Sequence, residues 1–317
     1  RRFAEFPGVR LAAICDPDSH RIDEGVAVAK EAWKNLGSLN THTDYRKLME
    51  DDEVDAVVIA SPNHWHSLMT IWACQAGKHV YVEKPLSHNA WEGRQLVEAA
   101  RQSGIVVEHG SQRRSHAKVI EAVRQAREGR LGKILLARGL CYKPRESIGK
   151  VSAPTAVPDH IDYDQWCGPA PRGPLMRERL HYDWHWVWET GNGDIGNQGI
   201  HQVDACRWFT GDREGSARVL SFGGRYGYDD DGETPNTQIA YFDYDDMPIL
   251  FEVRGLEQYR GAGRSPFYRD QQINVVIHCE HGYFTEDAVY DKSGKRIDTL
   301  GVPPRPGIRE NFLHAVR

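Results

Sequence analysis

Through the first 110 residues, apolar runs alternate with helix-period stretches. Val9-Arg10-Leu11-Ala12-Ala13-Ile14-Cys15 suits a buried strand and ends at Asp16. The spacing predicts a helix from Ser19 to Leu36 and a short one from Tyr45 to Glu50. Val54–Ala60, His79–Val82 and Ile105–Val107 read as strands, and His64–Gln75 and Asn89–Gln102 as helices, the former closed by Gly77. Ahead of all these, Phe3 and Phe6 followed by Pro7-Gly8 read as the tail of a helix. Strands separated by helices of about 10–15 residues mean crossover units and a parallel sheet.

Beyond residue 115 the rhythm changes. A helix from His116 to Arg127 ends at Gly129, a strand covers Lys133–Cys141, and a Pro-rich irregular stretch runs from Pro144 to Pro174. A helix is expected from Asp194 to Phe209. Long alternations follow over Ala217–Tyr226, Thr237–Tyr244, Pro248–Arg254 and Gln271–Cys279, and Ile308–Arg317 opens an amphipathic helix. Consecutive strands without crossover helices imply antiparallel pairing. The expected fold is therefore α/β: a Rossmann-type parallel sheet domain over residues 1–112, then an α+β domain over 113–317 with a large, mostly antiparallel open sheet.

Composition narrows the class. With 317 residues the chain has mass for about two domains. Forty basic against 45 acidic residues give a net charge of −5, which offers neither a nucleic-acid footprint nor a polybasic membrane signal. No apolar run approaches the ~20 residues of a membrane span. The six cysteines stand singly, without the paired spacing of a zinc site or a disulfide framework. Five of the nine tryptophans lie between Trp166 and Trp208, a bunching that suits a ring-lined cavity as well as an aromatic core.

Three strand ends carry candidate chemistry. Asp16 closes the first strand, where an acidic residue in a doubly wound sheet accepts from the adenosine ribose and repels a 2′-phosphate. The glycine loop of such a sheet lies about 20 residues earlier, ahead of residue 1. Ala60-Ser61-Pro62-Asn63-His64-Trp65-His66 leaves a second strand and opens a helix; Ser61 or Asn63 could equally cap it. Val82-Glu83-Lys84-Pro85 ends a third strand, and the proline restrains the lysine backbone so that its amine is aimed into the crevice. Next to a cationic nicotinamide such an amine loses proton affinity and suits proton relay at neutral pH. Gln112-Arg113-Arg114, just past the last parallel strand, reads either as a reach toward cofactor or substrate or as solvated charge.

Ser61-Pro62-Asn63-His64, then Glu83-Lys84-Pro85, then Gly191-Asn192-Gly193-Asp194-Ile195-Gly196-Asn197-Gln198-Gly199-Ile200-His201, together with Asp164-Gln165-Trp166-Cys167-Gly168-Pro169, resemble the Gfo/Idh/MocA family of glucose–fructose oxidoreductases and inositol dehydrogenases. The resemblance covers nearly the whole chain, without the family's first strand, glycine loop and last helix. It implies an NAD-binding enzyme (NADP being possible) that acts on CH–OH groups of a sugar, cyclitol or glycoside. The runner-up is glycoside cleavage through transient oxidation and elimination.

By that resemblance Lys84 and His201 are catalytic. Asn197 stands where the family carries the aspartate of its Asp-x-x-x-His pattern; either Asp194 or Asp204 supplies the missing charge, or His201 is a weaker base and Lys84 takes the larger role. Cofactor contacts are expected from Asp16, Ser61, Pro62, Asn63, His66, Glu83, Lys84 and Gln112. Substrate contacts are expected from Arg113, Trp166, His181, Trp184, His185, Asp194, Asn197 and His201. His181 and His185 have helical metal-ligand spacing but no recognisable third ligand, so no metal is expected. A carbohydrate partner and a homo-oligomer are expected. The compartment stays open between cytoplasm and export, since an export signal belongs ahead of Arg1.

Overall fold

The computed structural model describes residues 2–34, 36–212, 215–216, 218–244 and 247–317. Asn35, inside the first predicted helix, and Ala217, the predicted start of the first antiparallel strand, lie outside the described residues. After a 3-10 turn at Arg2–Glu5 come β1 (Ala13–Cys15), α1 (Ser19–Ala32), β2 (Asn40–His42), α2 (Tyr45–Met49), β3 (Ala56–Ile59), α3 (Asn63–Gln75), β4 (His79–Val82), α4 (Ala90–Ser103) and β5 (Val107–His109). The helices start where short polar side chains take up free backbone donors. Asp18 accepts from His20 N, Asp44 from Arg46 N and Asn89 from Glu92 N; Gly104 closes α4 in the left-handed conformation.

The strands pair in parallel as β2-β1 and as β3-β4-β5. A six-stranded dinucleotide-binding sheet has the order 3-2-1-4-5-6. On that pattern β2-β1 take the positions of strands 3 and 2, and β3-β4-β5 those of strands 4, 5 and 6. β1 and β3 do not pair with each other. A groove of about 1480 Å³ runs past Leu11, Ala13, Cys15, Ala56 and Val58 and on to the strand ends.

The second half begins with a 3-10 turn at Gln112–Ser115, α5 (Ala117–Arg127) and β6 (Ile134–Cys141). A long irregular stretch holds α6 (Tyr163–Cys167) and α7 (Leu180–Asp183). It is followed by α8 (Gly193–Asn197), α9 (Gly199–Phe209), β7 (Arg218–Gly224), β8 (Thr237–Asp243), β9 (Ile249–Arg254), β10 (Ile273–Cys279), β11 (Gly282–Phe284), β12 (Val289–Asp291), β13 (Arg296–Asp298) and α10 (Ile308–Val316). The sheet order is β13-β12-β11-β10-β6-β9-β8-β7, and only β6–β9 is parallel. Val119, Val123, Ala205 and Phe209 of α5 and α9 bury Ala137, Ile249, Val275 and Phe284 of this sheet.

The close approach of α9 to the sheet needs glycine. A Cβ on Gly139 of β6 would come within 2.7 Å of Gln202, and one on Gly199 within 2.8 Å of the Phe251 ring. The single helix expected over Asp194–Phe209 is accordingly two, meeting at Gln198. Among the described residues no helix is long and apolar enough to cross a membrane.

Candidate active site

The carboxyl ends of β1 and β3 open onto one crevice, and the irregular stretch of the second half forms its far wall. Asp16, Ser61 and Pro62 face Gly168, Pro169, His181, Tyr182 and Trp184 across it. Trp65 anchors this wall: its indole nitrogen donates to the Trp166 carbonyl at 3.0 Å, and its ring lies against Gly168.

Lys84, just past β4, reaches into the second half. Its Nζ donates to the backbone oxygen of Asn197 at 2.6 Å and to the side-chain Oδ1 of Asn197 at 2.7 Å. Burial lowers its affinity for a proton, the nearby Glu83 works against that, and Arg145 adds to the lowering. His201 stands at the start of α9. Burial, with the charges of Arg113 and Lys84 acting on it, pulls its imidazole down to about 4, so it is neutral at pH 7. Among the described residues no side chain hydrogen-bonds its ring, which leaves it free to accept a proton. His185 is likewise pulled to about 4 by burial; its Nδ1 lies 2.7 Å from the Tyr182 carbonyl and its ring stacks on Trp184 at 3.6 Å.

The other expected site residues have protein partners. Asp194 is 1% exposed and bidentate on Arg145 at 2.5 and 2.9 Å, and its charge acts on Lys84. Asp204 is held by Arg114 at 2.7 and 2.9 Å, and its charge acts on His201 against the lowering. His66 is 1% exposed, with Nδ1 at 2.6 Å from the Pro85 carbonyl and Nε2 at 2.8 Å from that of Ser61. It ties two strand-end loops together. Asn63 is inside α3 rather than capping it, buried, and donates to Asn192 Oδ1 at 3.1 Å.

Trp166 is 4% exposed and stacked on Tyr163, so its ring belongs to a core cluster. Arg113 is partly buried in an ion pair with Glu286. Gln112 lies 3.3 Å from Glu83 Oε2, which ties two of the expected cofactor residues to each other. His181 bonds Asp18 at 2.6 Å and does not share a centre with His185. Sequence reasoning misses Arg145, a buried cation beside the lysine, because it lies in the irregular Pro-rich stretch where no periodicity marks it.

The residues at the ribose end fit a dinucleotide. Asp16 keeps one carboxylate oxygen on the Asp18 backbone N–H at 2.9 Å, while the other has no partner among the described residues. The Ser61 hydroxyl is buried at the crevice and has no hydrogen-bond partner among the described residues. Asp18, His20 and His160 bring ligand atoms within 4.8 Å of one another, but the two imidazoles stack at 3.8 Å and 16°, an alignment in which their lone pairs do not converge on one ion.

A parallel sheet with a strand-end crevice, closed by a second domain that brings an amide onto a lysine, defines a two-domain dinucleotide-binding protein of oxidoreductase type. The comparisons carry this to a family. Residues 2–111 match the NAD-binding Rossmann fold of the Gfo/Idh/MocA oxidoreductases, and residues 134–253 match that family's C-terminal α/β domain. The chain belongs to the Gfo/Idh/MocA oxidoreductase family.

Among sequences, it is 28% identical over 197 residues to a levoglucosan dehydrogenase of Pseudarthrobacter phenanthrenivorans, covering 61% of this chain and 43% of that one. It is 33% identical over 135 residues to a glycosyl hydrolase family 109 protein of Shewanella sp. W3-18-1, covering 41% and 29%. The matched region thus spans less than half of either relative. Among solved structures, the WlbA dehydrogenase of Bordetella pertussis superposes with a TM-score of 0.64 at 18% identity, over 97% of this chain and 87% of that one. A levoglucosan dehydrogenase in complex with NADH and levoglucosan gives 0.64 at 20%, over 97% and 79%.

Proposed function

We propose that the protein transfers a hydride between NAD and a hydroxyl or carbonyl carbon of a sugar, cyclitol or glycoside. Residues 1–112 would hold the nucleotide and residues 113–317 the substrate. The observation that carries this reading is the contact between halves: Lys84 of the nucleotide-side sheet donates to Asn197 of the opposite half at 2.6 and 2.7 Å, beside a neutral His201. When bound, NAD supplies the hydride acceptor. The chain supplies the rest. Asp16 and Ser61 hold the nucleotide, Asn197 orients the lysine amine, and Lys84, with His201 as second acceptor, takes the hydroxyl proton. The unpaired Asp16 oxygen favours NAD, because a 2′-phosphate there would meet a carboxylate.

Lys84→Ala tests the reading. It should lose about 10²–10⁴-fold in turnover while the protein still retains nucleotide; wild-type rates on a confirmed substrate would remove Lys84 from the mechanism. The 33% identity to a family 109 glycosyl hydrolase supports a second reading, glycoside cleavage with the hydride returned in each cycle. A dehydrogenase accumulates NADH, whereas that enzyme releases an aglycone and accumulates none. The edge strand β7 presents Leu220 and Phe222, the latter 63% exposed, and supports a homo-oligomer. Light scattering behind size exclusion checks it, a monomer at micromolar concentration being the contrary result.

A further inference from the structure

Asp18 is two residues past Asp16 and does more than cap α1. Its carboxylate is almost fully buried and accepts three bonds: from His20 N at 2.9 Å, from His160 Nδ1 at 2.8 Å and from His181 Nε2 at 2.6 Å. The two imidazoles come from the second half, more than 140 residues away in sequence. The backbone repeats the connection. Ser19 N donates to His160 O at 3.0 Å, Asp162 N donates to Pro17 O at 2.9 Å, and Asp18 bridges Ile161 in antiparallel fashion. His20 stacks on His160. Burial alone would raise the Asp18 pKa, but the bonds from His160 and His181 outweigh it and hold the carboxylate ionised. The same residue fixes its neighbour, since its N–H holds one oxygen of Asp16.

We propose that Asp18, His160 and His181 form a clasp that shuts the ribose end of the crevice and governs how fast the nucleotide leaves. This rests on the reading of the crevice as an NAD site. With the clasp made, the segment His160–Asp162 is hydrogen-bonded to the loop after β1, and of the three clasp residues His181 lines the crevice, with Tyr182 and Trp184. A nucleotide seated on Asp16 then departs only after the two halves part at this point. Asp18 and the two histidines are positioning residues. They hold Asp16 and the wall and transfer no proton.

The test is the rate of NADH release from the intact protein, followed by stopped-flow fluorescence on dilution into excess NAD. Asp18→Asn keeps a competent helix cap but removes the charge, and His181→Gln and His160→Gln remove one arm each. Release should accelerate about tenfold for each arm (about 1.4 kcal/mol), and association should quicken as well, since the same parting admits the nucleotide. A thermal melt on each variant separates opening of the clasp from loss of fold. Variants that stay folded yet release NADH at the wild-type rate would overturn the clasp. Wild-type protein that binds no NADH at all would overturn the nucleotide reading instead.

Discussion

At residue scale the site turns on one amide. The family pattern carries a carboxylate where this chain has Asn197, and the amide Oδ1 accepts from the Lys84 ammonium without supplying a charge to hold its proton. Burial, with Arg145 and Lys143, then lowers the lysine's proton affinity, and the charges of Glu83 and Asp194 only partly oppose it. His201 is neutral above about pH 4, so on the proposed mechanism the acid limb of an oxidation profile is expected from Lys84, whose proton affinity burial lowers. Asn197→Asp should raise the lysine's proton affinity, because an opposite charge at this range shifts a pKa by about 1–3 units. The acid limb then moves to higher pH, and competitive amine labelling of Lys84 across pH should move with it. An unmoved limb would assign that ionisation elsewhere. Strand-end position marks Lys84 as a candidate in the sequence, whereas Asn197 and His201 are reached there only through the family resemblance. Asp194 is hidden there, since nothing in the run Gly193–Asn197 shows that Arg145, 49 residues earlier, occupies it.

At element scale the far wall depends on how Trp65 of α3 meets the turn after α6. Gly168 has φ +51°, and a Cβ there would overlap the indole ring. Gly168→Ala therefore combines overpacking against a buried ring with a left-handed backbone, a cost of about 2–4 kcal/mol. Chemical denaturation should show that loss, and the paired variant Gly168→Ala with Trp65→Leu should recover part of it. A near-neutral Gly168→Ala would mean that this turn moves freely of α3. Much of the element order is readable here, because β3, β4 and α3–α5 carry strong periodicity and clear stop signals. The three-residue strands β2, β11, β12 and β13 are not, since three residues hold too little alternation to distinguish strand from loop. The strand expected from Val9 is shortened to Ala13–Cys15, which finds its one partner in β2. The break at Gln198 escapes the pattern because apolar spacing runs on across it, while the packing of Gly199 under Phe251 is a tertiary fact.

At the scale of the whole molecule, folding buries histidines in their neutral form. His64, His109, His185, His201 and His278 are each pulled by burial from 6.5 to about 4. In the unfolded chain the same rings bind protons from about pH 6.5 downward. Between roughly pH 6.5 and 4 the unfolded state therefore holds more protons than the folded one, and stability rises with pH across that window. Acidification should cost stability steeply there, before most carboxylates protonate. Asp18 extends the same trend to lower pH, because its depressed pKa gives a contribution that is lost in more acidic solution. Calorimetry at about pH 7, 6, 5 and 4 should show Tm falling fastest between roughly 6 and 4. His278→Gln, remote from the crevice on β10 where the Tyr268 hydroxyl lies 3.2 Å from the ring, should flatten that slope while leaving nucleotide binding intact. A Tm that holds level down to about pH 4.5 would mean that these rings gain partners or solvent as they charge, and that the folded state accepts their protons as readily as the open chain does.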